Sequence, residues 1–340
     1  MKKSVFVLFT FLVYAGNLHA QRSIILQNND KVFQSMKIDT IINHIEDGDT
    51  LYLPGGNINL TSEFRIDKEL HIIGAGHYPD STQATVYTNV TGGHIRFMPG
   101  SDNSSITGIN LYNDMYFGLT STDSISNITI SRNSLNNVCL GYTNFRNAKH
   151  TYLNFSENVI RSSVLCCDAQ MIMFEKNIIN GRIDNLTDNA LFTNNIFLYY
   201  GSYSAFRTCT GVVAQNNIFV RDDHGLSSSV LNNNLFVLNF APVSGTNMGS
   251  GNIVNNGIDS LFVNSDGNDY FSYDTDYHLH PLCDGIGAGT DGYDVGIYGT
   301  SNPYKEAAVP FNPHIRYINI SSETSDGLLP VEIHVGAQEE

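Results

Sequence analysis

Three to seven residues after a recurring asparagine, this sequence gathers ionisable and aromatic side chains. Arg161 follows Asn158 by three positions, and Arg182 and Asp184 follow Asn177 by five and seven. Tyr199 and Tyr200 follow Asn195 by four and five, while Arg221, Asp222, Asp223 and His224 follow Asn217 by four to seven. If each asparagine marks one point in a repeating unit, equal offsets place these groups on one side of the molecule. Two carboxylates with Arg or His nearby can protonate a leaving glycosidic oxygen and activate water. An elimination needs instead a base and a cation that neutralises a substrate carboxylate, parts open to Arg182 and Arg221. The catalytic candidates are therefore Arg182, Asp184, Arg221, Asp222, Asp223 and His224. Arg161, Tyr199, Tyr200 and Tyr203 are the binding candidates, since the chain has no tryptophan to serve as a sugar platform. For Arg221 to His224 the competing reading is a solvated turn.

The units that must position these groups are visible in the asparagines themselves. The phrases ISRN, FSEN, FEKN, FTNN, AQNN and LNNN end at Asn133, Asn158, Asn177, Asn195, Asn217 and Asn234, at steps of 25, 19, 18, 22 and 17 residues. A period near twenty suits one turn of a parallel β-helix. Residues before each asparagine alternate as strands do: Ile128 with Ile130, Leu153 with Phe155, and Ile172 with Phe174. After it comes an apolar pair, as in Val159-Ile160, Ile178-Ile179 and Ile218-Phe219. Asparagine tolerates left-handed backbone angles, so it is expected at the corner itself, and stacked copies can pair in a ladder.

On these residues the chain resembles the right-handed parallel β-helix proteins of the pectate-lyase-like superfamily, and more closely exported members from Bacteroidetes-type bacteria. The resemblance implies an all-β, right-handed parallel β-helix solenoid with a short N-terminal capping helix and a C-terminal β capping segment. Residues 21–50 would form the N-terminal cap, with apolar positions 38, 41, 42 and 45 at helix spacing and Asp39 as a helix cap. Residues 51–300 would form the β-helix, with Ser265 to Tyr298 completing its last coil. Residues 301–340 would add a strand pair from Ile315 to Ile320 and Val331 to Val335. The superfamily's enzymes work in a lateral groove, but the Asn-Thr-Asp, Gly-His-Gly and Arg-Ile-Lys elements of polygalacturonases are absent here.

Residues 1–20 read as a secretory signal, with Lys2 and Lys3, an apolar core from Val5 to Ala15, and a cleavage site at Ala20. The core is too short to span a bilayer, so an exported chain without a transmembrane anchor is expected, extracellular, at the cell surface or periplasmic, and monomeric. The formal charge of −15 disfavours nucleic acid and, without a local cationic groove, polyuronates. Five cysteines are an odd number and read as buried thiols. No cofactor is expected except calcium, for which Asp266, Asn268, Asp269, Asp291 and Asp294 supply oxygens, although Asp beside Gly is also ordinary turn chemistry. Three functions stay open. One is a non-catalytic module binding a polysaccharide or cell-surface glycan; another is a polysaccharide lyase or glycoside hydrolase working in a lateral groove; the third is a plain structural or adhesive surface protein with no small ligand, which the sequence does not separate from the first.

Overall fold

The structure is a computed structural model and describes residues 23–28, 31–82, 85–141, 150–166, 169–198, 204–220, 224–237, 243–254, 261–264, 270–305, 314–321, 324 and 328–336. It is a parallel β-solenoid of about eight turns. The turns build three sheets, the third of seven strands, and along the solenoid strands pair in parallel with their counterparts one turn away. In a central turn the strands are Gln170–Glu175 in the first sheet, Ile178–Ile179 in the second and Ile183–Asp184 in the third. Period-two alternation sends Ile172 and Phe174 inward. Phe155, Phe174 and Phe192 occupy register-equivalent positions and stack at 4.8 Å, as do Phe197, Phe219 and Phe236. That distance is the strand spacing, so aromatic stacking comes with the coil rise.

The corner between first and second sheets differs from expectation in one respect. Left-handed backbone falls on the residue before each repeated asparagine: Arg132, Glu157, Lys176, Asn194, Asn216 and Asn233 have φ between 51° and 57°. That kink turns the following asparagine inward. Each side-chain amide then donates to the next turn's Oδ1 at 3.0–3.1 Å, from Asn133 through Asn158, Asn177, Asn195, Asn217 and Asn234 to Asn252. The same nitrogens also donate to backbone carbonyls such as Ile130 O and Phe155 O.

At the N-terminal end, helix Ile38–Ile42 buries Ile38 and Ile41 against the core. Lys37, in extended conformation, occupies its N-cap without a side-chain bond, and Asp39 lies in the first turn, so Asp39 is not the cap. Strand Ile24–Asn28 pairs antiparallel with both Lys31–Ser35 and Asp49–Tyr52, so the edge of Asp49–Tyr52 is covered and Lys31–Ser35 is the outermost strand of the first sheet.

The C-terminal region departs further. Instead of completing the last coil, the described residues between Leu261 and Lys305 leave it and run back along the outside of the second sheet. Asn233 Nδ2 donates to Ala288 O, Asn194 Nδ2 to Gly296 O and Gly299 O, and Lys305 N to Glu157 Oε2. Beneath the segment lie Val159, Ile178, Ile196, Ile218 and Leu235, packed with Phe262, Tyr277, Val295, Ile297 and Tyr304 into a second apolar core. Strands His314–Ile320 and Val331–Gly336 pair antiparallel. Cys139, Cys166, Cys209 and Cys283 are buried thiols without disulfides, and Cys167 lies outside the described residues.

Candidate functional site

Of the strip inferred from equal offsets, the described members Arg161, Arg182, Asp184 and His224 do not share one face. Arg161 turns beneath the C-terminal segment, where its NH2 group donates to Leu111 O at 2.6 Å and its Nε to Leu135 O at 3.4 Å. His224 is buried, its Nδ1 accepting the Leu226 N–H at 2.9 Å and its ring 6.0 Å from Phe236. Counting from the asparagine loses phase because the connection from the second to the third sheet varies in length. Asp184 and His224 share an offset of seven, yet the residue paired with Asp184 one turn on is Arg207. Tyr199, Tyr200, Tyr203, Arg221, Asp222 and Asp223 lie outside the described residues.

Asp184 and Arg182 do meet, on the outward face of the third sheet, with Arg207 as a third member. Asp184 Oδ1 accepts Arg182 Nε at 2.6 Å and Arg207 Nε at 3.0 Å, while its Oδ2 accepts Arg207 NH2 at 2.8 Å. A carboxylate held by two guanidinium forks has no oxygen left to shuttle a proton to substrate. We expect Asp184→Asn to lower stability by about 2 kcal/mol, less than for a fully enclosed pair because Arg207 reaches solvent. Urea unfolding would measure this, and an unchanged midpoint would contradict a structural role.

Higher on the same face, Arg96 binds Glu63 at 2.8 Å, donates to Gly118 O at 2.7 Å and lies 4.4 Å over the Tyr116 ring. The Tyr116 hydroxyl donates to Asp114 Oδ2 at 3.1 Å, and burial together with that carboxylate pushes its pKa up to about 12. Asp114 also accepts from Asn136 and Asn137. The register row running through Arg65, Arg96 and Tyr116 could have flagged this cluster, but no repeated phrase marks it.

A concave site lies elsewhere, where the loop after strand Leu70–Ile73 meets the returning C-terminal segment. The cleft encloses about 370 Å³ and is lined by Tyr78, Tyr273, Tyr277, Tyr298 and Tyr304. Asp80, Asp274 and Asp276 line it too, with Ser81 and Thr275 between them. Ring contacts set the tyrosines: Tyr78 meets Tyr273 edge-on at 4.7 Å, Tyr298 meets Tyr304 edge-on at 6.0 Å, and His278 stacks on Tyr298 at 3.7 Å. His278 Nδ1 is 2.7 Å from Asp276 Oδ1. The Tyr78 and Tyr304 hydroxyls lie 3.4 Å apart. Burial pushes the Tyr304 phenol well above its usual range and also raises that of Tyr273.

Next to the cleft, His77 Nδ1 lies 3.1 Å from the Tyr273 hydroxyl. Burial first, and nearby Arg161 second, lower its pKa from 6.5 to about 3. The unfolded chain therefore takes up a proton below pH 6.5 that the folded chain refuses. The stabilisation from neutral His77 is complete above 6.5 and is lost as pH falls from there toward 3. Buried His150 shifts in the same direction. The unfolding midpoint should drop as pH falls through this window, and His77→Gln should remove part of the slope while leaving the share due to His150.

Of the calcium candidates, Asp291 Oδ1 accepts the Tyr293 N–H and Asp294 Oδ1 the Gly287 N–H, which is turn chemistry. Asp266, Asn268 and Asp269 lie outside the described residues. Among the described residues no group of three or more His, Cys, Asp or Glu is arranged to hold a metal ion, and no helix is long and apolar enough to cross a membrane. No protein-family model and no curated protein matches this chain.

Proposed function

We propose that this chain is an exported, non-catalytic β-solenoid module, of the pectate-lyase-like type found in exported Bacteroidetes proteins, that holds a glycan in the tyrosine-lined cleft. The observation that carries the reading is the cleft itself, in which five tyrosines and three carboxylates converge from two segments of the chain. Tyrosine rings offer flat apolar faces to sugar C–H groups, while hydroxyls and carboxylates accept and donate at the ring edges. The engaged oxygens of Asp184 and the buried position of His224 favour binding over cleavage.

The test uses the chain from Gln21 onward against a panel of polysaccharides. Retention on at least one glycan is expected, and Tyr273→Ala or Tyr298→Ala should weaken it by about tenfold, the range of an interface anchor. Release of reducing ends or of unsaturated products from any polysaccharide would overturn the non-catalytic reading. Unchanged retention in both tyrosine variants would move the site elsewhere.

A further inference from the structure

We propose that the cleft selects saccharides carrying free amino groups, of the glucosamine-oligomer type, over neutral and uronic-acid saccharides. This rests on the glycan reading above and adds a ligand class to it. The supporting observation is the balance of charge around the aromatic walls. Asp80, Asp274 and Asp276 line the cleft, and among the described residues no lysine or arginine does. Only Asp276 has an imidazole against it, that of His278; among the described residues no ion pair reaches Asp80 or Asp274, both of which are exposed. Arg161 lies near Tyr273, and its guanidinium is spent on two backbone carbonyls. His77, fully buried beside Tyr273, stays neutral.

Each class of sugar meets this lining differently. A uronate brings a carboxylate toward two uncompensated carboxylates inside a chain of net charge −15. A neutral sugar can donate hydroxyls to them but leaves their charge uncompensated as water is displaced. A sugar ammonium compensates the charge, makes hydrogen bonds roughly twice as strong as neutral ones, and is attracted to the tyrosine faces. The cleft volume of about 370 Å³ suits a short oligosaccharide segment rather than a long groove-bound chain.

The experiment is titration calorimetry of the full mature chain with four probes at low ionic strength: a glucosamine trimer, the N-acetylglucosamine trimer, a galacturonate trimer and spermidine. The glucosamine trimer is expected to bind at least about tenfold tighter than its acetylated counterpart, and the preference should shrink steeply in about 0.5 M salt. The double variant Asp80→Asn with Asp274→Asn should erase the preference while leaving residual neutral-sugar binding, and Tyr273→Ala should weaken both trimers. Both aspartates are exposed, so circular dichroism should show the variant folded. If the acetylated or uronate trimer binds as tightly as the amine, the inference falls and the glycan reading stands. Spermidine binding as tightly as the amino sugar would overturn the glycan reading and leave a bare amine site. Binding of none of the four would overturn both.

Discussion

A chain ended at Val254 is expected to self-associate and to collect as soluble aggregate or inclusion material. The reason is the outward row of the second sheet, Val159, Ile178, Ile196, Ile218 and Leu235, each at most 1% exposed under the returning segment. Burying one such side chain contributes about 1.5–3 kcal/mol, so uncovering five removes roughly 10 kcal/mol, comparable with the whole stability of a domain. Asn194 and Asn233 would lose their carbonyl partners on that segment as well. The uncovered residues would form one continuous stripe, the kind of patch that drives association. A chain ended at Lys305 is the control. It keeps Val295, Ile297 and Tyr304 in place, and the strands it drops among the described residues are the pair His314–Ile320 and Val331–Gly336, whose Ile318, Ile333 and Val335 are already exposed. It should elute as a monomer with an unchanged unfolding midpoint. Light scattering after size exclusion separates the outcomes, and a monodisperse, fully stable chain ended at Val254 would refute the covering role.

That cover is implied by the residue pattern of the second sheet. Ile178-Ile179 and Ile218-Phe219 are adjacent apolar residues in strands, and a period of two sends one of each pair outward. Two buried faces from Val159 to Leu235 require a second layer along those turns, so a segment that merely finished the last coil would not have sufficed. The coil itself was readable because its signal is local and repeated: the alternation seen at Ile172 and Phe174 and the asparagine at the corner recur in successive turns from Asn133 to Asn234. The left-handed position was misplaced by one residue, since sequence shows which residue recurs but not which neighbour carries the kink. Asn252 went unrecognised because its phrase, MGSGN, lacks the alternating apolar residues that introduce the others.

The site was harder for a different physical reason. Counting from an asparagine holds register only until the first connection of variable length, so Arg207 was missed and His224 was assigned to a face it does not occupy. The tyrosine cleft has no periodic signature at all. His77 and Tyr273 are 196 residues apart and Tyr78 and Tyr304 are 226 apart, brought together only because the C-terminal segment reverses along the solenoid. Nothing near Tyr78 in sequence announces that partner.

Replacing Asn177 with alanine should destabilise the solenoid more than any comparable change on its surface. Its Oδ1 accepts the Asn158 backbone N–H at 2.9 Å and the Asn158 side-chain N–H at 3.0 Å. Its Nδ2 donates to Phe155 O at 2.8 Å and to Asn195 Oδ1 at 3.0 Å. All four bonds lie at fully buried positions, away from replacement water. Alanine would leave two Asn158 donors unpaired, at about 1–3 kcal/mol each, and would take from the Phe155 carbonyl the second of its two donors, for a total of roughly 2–5 kcal/mol after relaxation. Aspartate keeps the shape and both accepted bonds but sets an oxygen against Phe155 O and Asn195 Oδ1 while burying a charge, so at neutral pH it should be no milder. Asn252→Ala, at the end of the column and only half-buried, interrupts the same pattern where solvent can step in, and about 1 kcal/mol is expected. Urea midpoints for the three variants should therefore fall into one mild and two severe cases. Equal losses at positions 177 and 252 would mean that the amides act singly, each only as the corner of its own turn, and not as a continuous buried column.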